Sequence, residues 1–254
     1  MKTTLAFMKK EWMEYYRTGK LVIVGIIFAL FGLMNPAIAK ITPYLMKQIA
    51  ADDSSGVSIE ITTIDASMSW TQFYKNIPMA LIVCLLIFGG ILTNELQKGT
   101  LIPVLTKGLS RWKVVLTKGV NLIAIWTVGY WMCYGITYFY NDFYWDNGKF
   151  YNLGFAAFCY WLFGTMILAL LILFSSMSSS MGGVILGVGA CYFVMSIISI
   201  SSRAAKYMPL HLTAGTRLLS GGEPSDYAGA IVAAVAVIFV SMAAGCFIFN
   251  KREV

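Results

Sequence analysis

The sequence has 254 residues, 58% of them hydrophobic and only 12% charged, with a mean hydropathy of +0.72. A soluble domain carries about twice that charged fraction, so composition excludes an ordinary water-soluble globule and places the chain in the membrane class. The formal net charge of +7 invites a nucleic-acid reading, but the basic residues distribute as membrane topology requires, and no nucleic-acid partner is expected.

Residues 1–20 carry Leu5, Met8, Trp12 and Tyr15 at helical spacing, with Lys9, Lys10, Glu14 and Arg17 largely off that stripe. This pattern predicts an amphipathic helix lying in the membrane interface. Six apolar runs of spanning length follow, at about 21–39, 77–94, 120–140, 155–175, 183–201 and 228–250. Asn35-Pro36 interrupts the first, and Pro36 is expected to kink it. A cleaved leader is the competing reading of this region. Leu21–Met34 is a short apolar run, and Ala37-Ile38-Ala39 resembles a peptidase site. The length of the leading segment, with Glu11 and Glu14 in it, argues for a retained helix.

The segment 40–76 reads as a long outer loop in which Asp65 starts a short helix. Trp70, Phe73 and Tyr74 would share one face of that helix, on the outer leaflet. The segment 95–118 is the most polar part of the chain and holds Lys98, Lys107, Arg111, Lys113 and Lys118 against the one acid Glu95. The third span ends in the aromatic cluster Tyr138, Phe139, Tyr140, Phe143, Tyr144 and Trp145, expected at headgroup level. Ser178-Ser179-Ser180 reads as a plain tight turn, and Ser202–Tyr227 as an amphiphilic outer loop.

With the termini, the 95–118 segment and the Met177–Gly182 loop on one side, that side holds twelve basic residues and four acids; the other holds seven and eight. Basic residues in short loops mark the cytoplasmic side, so both termini are expected inside. No charge-rich region is left for a separate soluble domain, which predicts a single membrane domain over 1–254.

No Asp, Glu, Lys, Arg or His falls inside the apolar cores of the spans as bounded above. Such residues usually mark ion paths and proton relays, so their absence disfavours an ion-coupled carrier or selective channel. The single histidine, His211, reads as a loop residue without HExxH or GxSxG company. Cys84, Cys133, Cys159, Cys191 and Cys246 lie in apolar runs without metal-like spacing and read as packing residues. Neither catalytic nor metal residues are expected. Gly19-Lys20-Leu21 and Gly148-Lys149-Phe150 lack the rest of a phosphate loop, so this chain is not expected to bind ATP through one.

The polar segment carries a family likeness. Glu95-Leu-Gln-Lys98-Gly99-Thr100, followed by Leu109-Ser110-Arg111-Trp112-Lys113, resembles the first cytoplasmic loop of bacterial type-2 ABC export permeases. That loop typically shows Glu, Gly-Thr, a short helix, and then Ser-Arg and a lysine opening span three. Met8-Lys-Lys-Glu11-Trp12 with Arg17 resembles the family's leading helix, and Phe249-Asn-Lys251-Arg252-Glu253 its C-terminal end. The fold this implies is an all-α integral membrane protein of six transmembrane helices. An N-terminal amphipathic interfacial helix and a cytoplasmic coupling helix between spans two and three complete it.

The resemblance also implies a division of labour. The chain would be a permease subunit in the bacterial cell membrane, paired with a second permease subunit. Two separate cytoplasmic ABC ATPase subunits would bind ATP and Mg, with no cofactor in this chain. Docking or coupling would fall to Glu95, Lys98, Gly99, Thr100, Leu101, Ser110 and Arg111, and the interfacial helix would use Glu11, Trp12 and Arg17. Leu101, Val104 and Leu105 form an apolar edge for the ATPase, Gly99 turns the backbone, and Thr100 caps the helix that follows. The family pathway runs along spans two and five. In span five, Gly183 and Gly187 allow close helix approach, either to a second subunit or inside one chain, and Tyr192, Met195 and Ser199 face a mild, uncharged route. Such a route suits a hydrophobic or amphipathic cargo: peptide, lipid or drug. A stand-alone carrier or channel, or an intramembrane enzyme or sensor partner, are the competing classes.

Overall fold

A peptide group in hydrocarbon finds no water to bond, so apolar runs of this length fold as helices that satisfy their own backbone. The computed structural model of the protein describes residues 2–52, 65–106 and 108–252, and among these every long element is helical and no strand occurs. Helix α1 (Lys2–Arg17) leads into α2 (Lys20–Asp52), and α3 (Ala66–Phe88) is followed by two short helices, α4 (Thr93–Gln97) and α5 (Ile102–Thr106). Then come α6 (Arg111–Trp145), α7 (Leu153–Met177) and α8 (Met181–Ile198). The chain continues through α9 (Ser202–Ala205), α10 (Gly215–Leu219) and two 3-10 turns to α11 (Ala228–Lys251). Among the described residues six stretches are long and apolar enough to cross a membrane: Lys20–Leu45, Ala66–Gln97, Arg111–Trp145, Leu153–Met177, Met181–Ile198 and Pro224–Lys251.

Cross-contacts fix the two ends of the bundle. Glu11, Glu95 and Lys118 meet at one end, together with Gln97, the turn after α7 and Arg252. This is called the basal end. At the distal end Trp70 donates to Asn147 across 3.1 Å, and Lys40 of α2 lies 4.0 Å over the Tyr144 ring of α6.

Helix α7 forms the centre, packed by α6, α8 and α11, with Ala156, Leu168, Ala169 and Leu171 fully enclosed. Gly164 leaves no room for a side chain beneath the Trp126 ring of α6. Trp126 Nε1 donates to the Trp161 carbonyl at 3.1 Å, and the Tyr130 hydroxyl to that of Ala157 at 2.8 Å, so both buried rings keep a partner for their polar atom.

Helix α2 continues through Pro36 and Pro43. A proline at position 36 leaves the Gly32 carbonyl without its usual helical donor. Thr137 of α6 supplies one, its hydroxyl lying 3.1 Å from the Gly32 oxygen. The neighbouring Asn35, fully buried, donates to Thr137 at 3.0 Å and accepts from Asn76 of α3 at 2.8 Å. The dipeptide that interrupts the apolar run is the polar tie of three spans.

Other boundaries shift as well. The outer loop expected over 40–76 shrinks to the connection after Asp52, because α2 and α3 extend into it. Part of that connection, 53–64, lies outside the described residues. Asp65 does start a helix, accepting from the Ala66 amide at 2.7 Å, but the helix is the second span itself. Trp70, Phe73 and Tyr74 share a face that is buried in the bundle instead of lying on the leaflet. In the segment after α8, Leu212 and Leu218 are fully buried, and the short helices there pack against α7 and α11. Of the terminal aromatics of α6, Phe139 and Phe143 are widely exposed.

Candidate functional site

The basal end is built around an ion cluster that joins three separate parts of the chain. Lys118, one turn beyond Val114 in α6, is 1% exposed, and its ammonium lies 2.6 Å from Glu11 Oε2 and 3.1 Å from Glu95 Oε2. Glu11 belongs to α1 and is completely enclosed; Glu95 belongs to α4, at the foot of the second span. Lys10 adds a half-exposed outer contact to Glu11 at 3.1 Å, to Glu95 at 3.5 Å and to Glu14 at 2.6 Å. The Tyr15 hydroxyl donates to Glu11 Oε2 at 3.0 Å.

The electrostatics follow from these distances. Burial alone would raise the Glu11 carboxyl, yet Lys118 first and Lys10 second hold it below the usual carboxylate range. Burial disfavours the Lys10 ammonium, but Glu14, Glu11 and Glu95 outweigh it and raise its affinity for the proton. The Tyr15 hydroxyl is pushed up by burial and then by the Glu11 charge. The carboxylates of Glu11, Glu14 and Glu95 converge within 4.8 Å, and the two ammonium groups bridge them. A metal ion would have to displace those lysines.

Lys118 was expected at the end of a solvated loop. Helix α6 in fact begins at Arg111, so Lys118 lies well inside it. Its helical neighbours Val114, Val115, Asn121 and Leu122 are all buried, and that pattern was the available signal that Lys118 faces inward. On α1, Leu5 is 63% exposed, and the face turned to the bundle is Phe7, Glu11 and Tyr15. Trp12, expected on the apolar stripe in the membrane interface, donates to Asn121 of α6 at 3.1 Å, while Arg17 is exposed.

Between α4 and α6 the connection is only 98–110. Gly99 has φ +64°, a left-handed turn as its position predicted, and Lys98 is exposed beside it. Thr100 does not cap α5; its hydroxyl points back 3.4 Å to the Glu95 carbonyl and closes the turn. Leu101 is 1% exposed and belongs to the core, so it cannot form the outer apolar edge; Ile102 does so instead, at 49%. Ser110 stands at the N-cap of α6 with extended backbone but makes no side-chain cap bond. Ser110 and Arg111 line a basal groove with Ile102, Leu105, Thr106, Leu109 and Asn250, of about 490 Å³.

A second basal clasp was not foreseen. The turn Ser178-Ser179-Ser180 is more than a plain link: Ser180 caps α8 by accepting from the Gly183 amide at 3.2 Å. Arg252, past the end of α11, donates to the carbonyls of Ser176 at 3.0 Å and Ser178 at 2.9 Å. Gln97 of α4 donates to the Ser179 carbonyl at 2.8 Å. These bonds tie the foot of the second span to the turn that carries the fifth.

Helix α8 itself is thinly attached. Gly187 packs on Phe174 of α7, where a Cβ would come within 2.5 Å of the ring, and Gly183 lies against Ser178. Both glycines therefore serve packing within the chain. Met195 leans on the core, Ser199 bonds back to the Met195 carbonyl, and Tyr192 is 46% exposed. Between α3, α7 and α8 lies an apolar pocket of about 450 Å³, reaching from Leu85 and Leu86 to Tyr74 and Thr213. It joins the second and fifth spans, although of the span-five residues singled out in the sequence only Tyr192 lines it.

Residues 5–254 match the family described as ABC-2 family transporter protein. An uncharacterized transmembrane protein of Bacillus subtilis (strain 168), YxlG, is 24% identical over 237 residues, covering 90% of each chain.

Proposed function

The chain belongs to the ABC-2 transporter family, and on that premise we propose that it is the permease subunit of an ATP-driven exporter in the bacterial cytoplasmic membrane. Both termini and the 98–110 connection face the cytoplasm in this reading, in accord with the excess of basic residues at the basal end. Separate cytoplasmic ATPase subunits bind ATP and Mg and dock on the basal groove. A second permease subunit completes the pathway, and α1 rests in the inner membrane interface. The cargo is hydrophobic or amphipathic.

The observation that carries the reading is the buried Glu11–Lys118–Glu95 cluster. An ATPase pushing on residues 98–110 presses on the junction of α4 and α6. Because Lys118 binds Glu95 and Glu11 together, the second span, the third span and α1 move as one body. The Arg252 and Gln97 clasp extends that motion to the turn preceding α8. A solvated loop could not do this, since exposed ion pairs contribute little and rearrange freely.

The test is to purify the full chain from its native membrane, identify any ATPase that accompanies it, and reconstitute both in vesicles. Glu95→Ala and Arg111→Ala are expected to insert normally and retain the ATPase, while ATP hydrolysis loses its response to the permease. Absence of any ATPase, or full coupling in the double variant, would overturn the reading.

A further inference from the structure

The basal cluster consumes the acids around it and leaves three cations over. Glu11 and Glu95 are bridged by Lys118 and Lys10, and Glu14, on the flank of α1, is held by Lys10 at 2.6 Å. Among the described residues Lys9, Arg17 and Lys20 have no carboxylate within ion-pair distance. Lys9 and Arg17 are exposed on the side of α1 turned away from the bundle. Lys20, the first residue of α2, is half-buried, with its ammonium 6.0 Å from the Tyr15 ring and 5.8 Å from the Phe88 ring. Those rings attract the cation but leave its charge unneutralised.

The outward side of α1 is apolar as well as basic. Leu5, Lys9, Met13 and Tyr16 recur at intervals of four, four and three, which sets them in one stripe. Leu5, Met13 and Tyr16 are all exposed there, flanked by Ala6, Arg17 and Thr18. Large apolar side chains between unpaired cations suit a phospholipid surface, which offers hydrocarbon and phosphate at adjacent depths. The connection to the first span fixes that depth. Only Thr18 and Gly19 separate α1 from α2, Gly19 turns the chain at φ +72°, and the spanning stretch begins at Lys20. The face is thereby held where the span enters the bilayer, at headgroup level. A zwitterionic lipid brings an ammonium group with each phosphate, so an anionic headgroup is what balances the surplus charge.

We propose that the outward face of α1, together with Lys20, binds the phosphates of anionic phospholipids in the leaflet at the basal end, with Leu5, Met13 and Tyr16 in the shallow hydrocarbon beneath them. The inference deepens the transporter reading by naming a lipid partner, and it rests on that reading only for the leaflet's being cytoplasmic. Lipid binding itself needs no ATPase.

The experiment uses the full chain in nanodiscs of phosphatidylglycerol and phosphatidylcholine in equal parts, with a trace of one or the other carrying a diazirine beside its phosphate. Crosslinks are mapped by mass spectrometry. At low salt the phosphatidylglycerol probe should label residues 5–20 at least about tenfold more than the phosphatidylcholine probe, each basic residue near the surface supplying about fivefold. Lys9→Gln and Arg17→Gln should each cut that preference about three- to fivefold, and Arg17→Lys should keep it. The triple variant Lys9→Gln/Arg17→Gln/Lys20→Gln should abolish it. Lys149→Gln, an equal loss of charge at an exposed distal position, should leave it unchanged. High salt should shrink the preference of the native chain. Thermal unfolding checks that each variant is folded, and Lys9→Gln with Arg17→Gln, both at exposed positions, carry the test should Lys20→Gln unfold the chain. Equal labelling by the two probes, a preference untouched by the exposed-site variants, or one indifferent to salt would each overturn the proposal. So would loss of the labelling when a co-purified ATPase is added, which would assign the face to that protein. A chain without a lipid preference leaves the coupling result untouched, and a chain without an ATPase leaves the labelling result standing.

Discussion

Removing the Lys118 ammonium tests the basal cluster most directly. Lys118→Met keeps an unbranched chain of similar volume in a site that is 1% exposed, but leaves Glu11, itself fully enclosed, without its 2.6 Å partner. Breaking a buried ion pair from one side costs about 3–5 kcal/mol, because the surviving charge stays desolvated. Here Tyr15 at 3.0 Å and Lys10 at 3.1 Å still touch Glu11, so the expected loss lies near the lower end of that range. Neutralising both partners should behave differently. Glu11→Gln with Lys118→Met removes both buried charges and still offers an oxygen to Tyr15, so most of the loss should return. Lys10→Met should cost no more than about 1 kcal/mol, since its side chain is 44% exposed and water replaces its contacts. The assay is urea unfolding of the detergent-solubilised chain, followed by tryptophan fluorescence and analysed as a double-mutant cycle. A single Lys118→Met loss below about 1 kcal/mol, or a double variant as unstable as the sum of the singles, would refute the argument that burial gives this pair its weight.

Acid should reveal the same cluster. Because the Glu11 carboxyl is held below its ordinary value of 4.5, its contribution is present above that pH and disappears as pH falls through the lowered value. The stability gap between the native chain and Glu11→Gln should therefore be widest near neutrality and close in acid, as unfolding curves at stepped pH will record. Gly187→Val should destabilise by about 1–3 kcal/mol through overpacking on Phe174, whereas Gly182→Ala, with nothing within 4 Å, should not; thermal unfolding distinguishes them. For topology, Glu223→Cys in a chain stripped of its native thiols should react with an impermeant maleimide in intact cells, and Thr106→Cys should react only after permeabilisation. Both positions are exposed.

Much of this protein was legible locally. Six apolar runs, the helix start at Asp65, the turn at Gly99 and the bias of basic residues toward one end follow from hydropathy, capping chemistry and charge placement, each within a few residues of sequence. A family likeness in the 95–113 segment supplied the transporter class, and the match over residues 5–254 agrees with it.

Tertiary structure alone decided which polar residues turn inward. Glu11 and Lys118 are 107 positions apart, and neither has a local signal that names the other. Each looked like a solvated charge because a lone buried charge is prohibitively costly, and only the pairing of α1 with α6 makes both tolerable. Asn35, Thr137 and Asn76 follow the same logic: a polar interruption of an apolar run becomes a tie once another span supplies the missing donor. Arg252 and the serine turn meet across 74 residues, and Trp70, Phe73 and Tyr74 exchange a lipid surface for the core because α6 covers the first two and α7 and α10 the third. Sequence periodicity states that a helix has an apolar face. Whether lipid or protein covers that face depends on neighbours that arrive from elsewhere in the chain, and in a membrane the two surroundings are almost equally apolar.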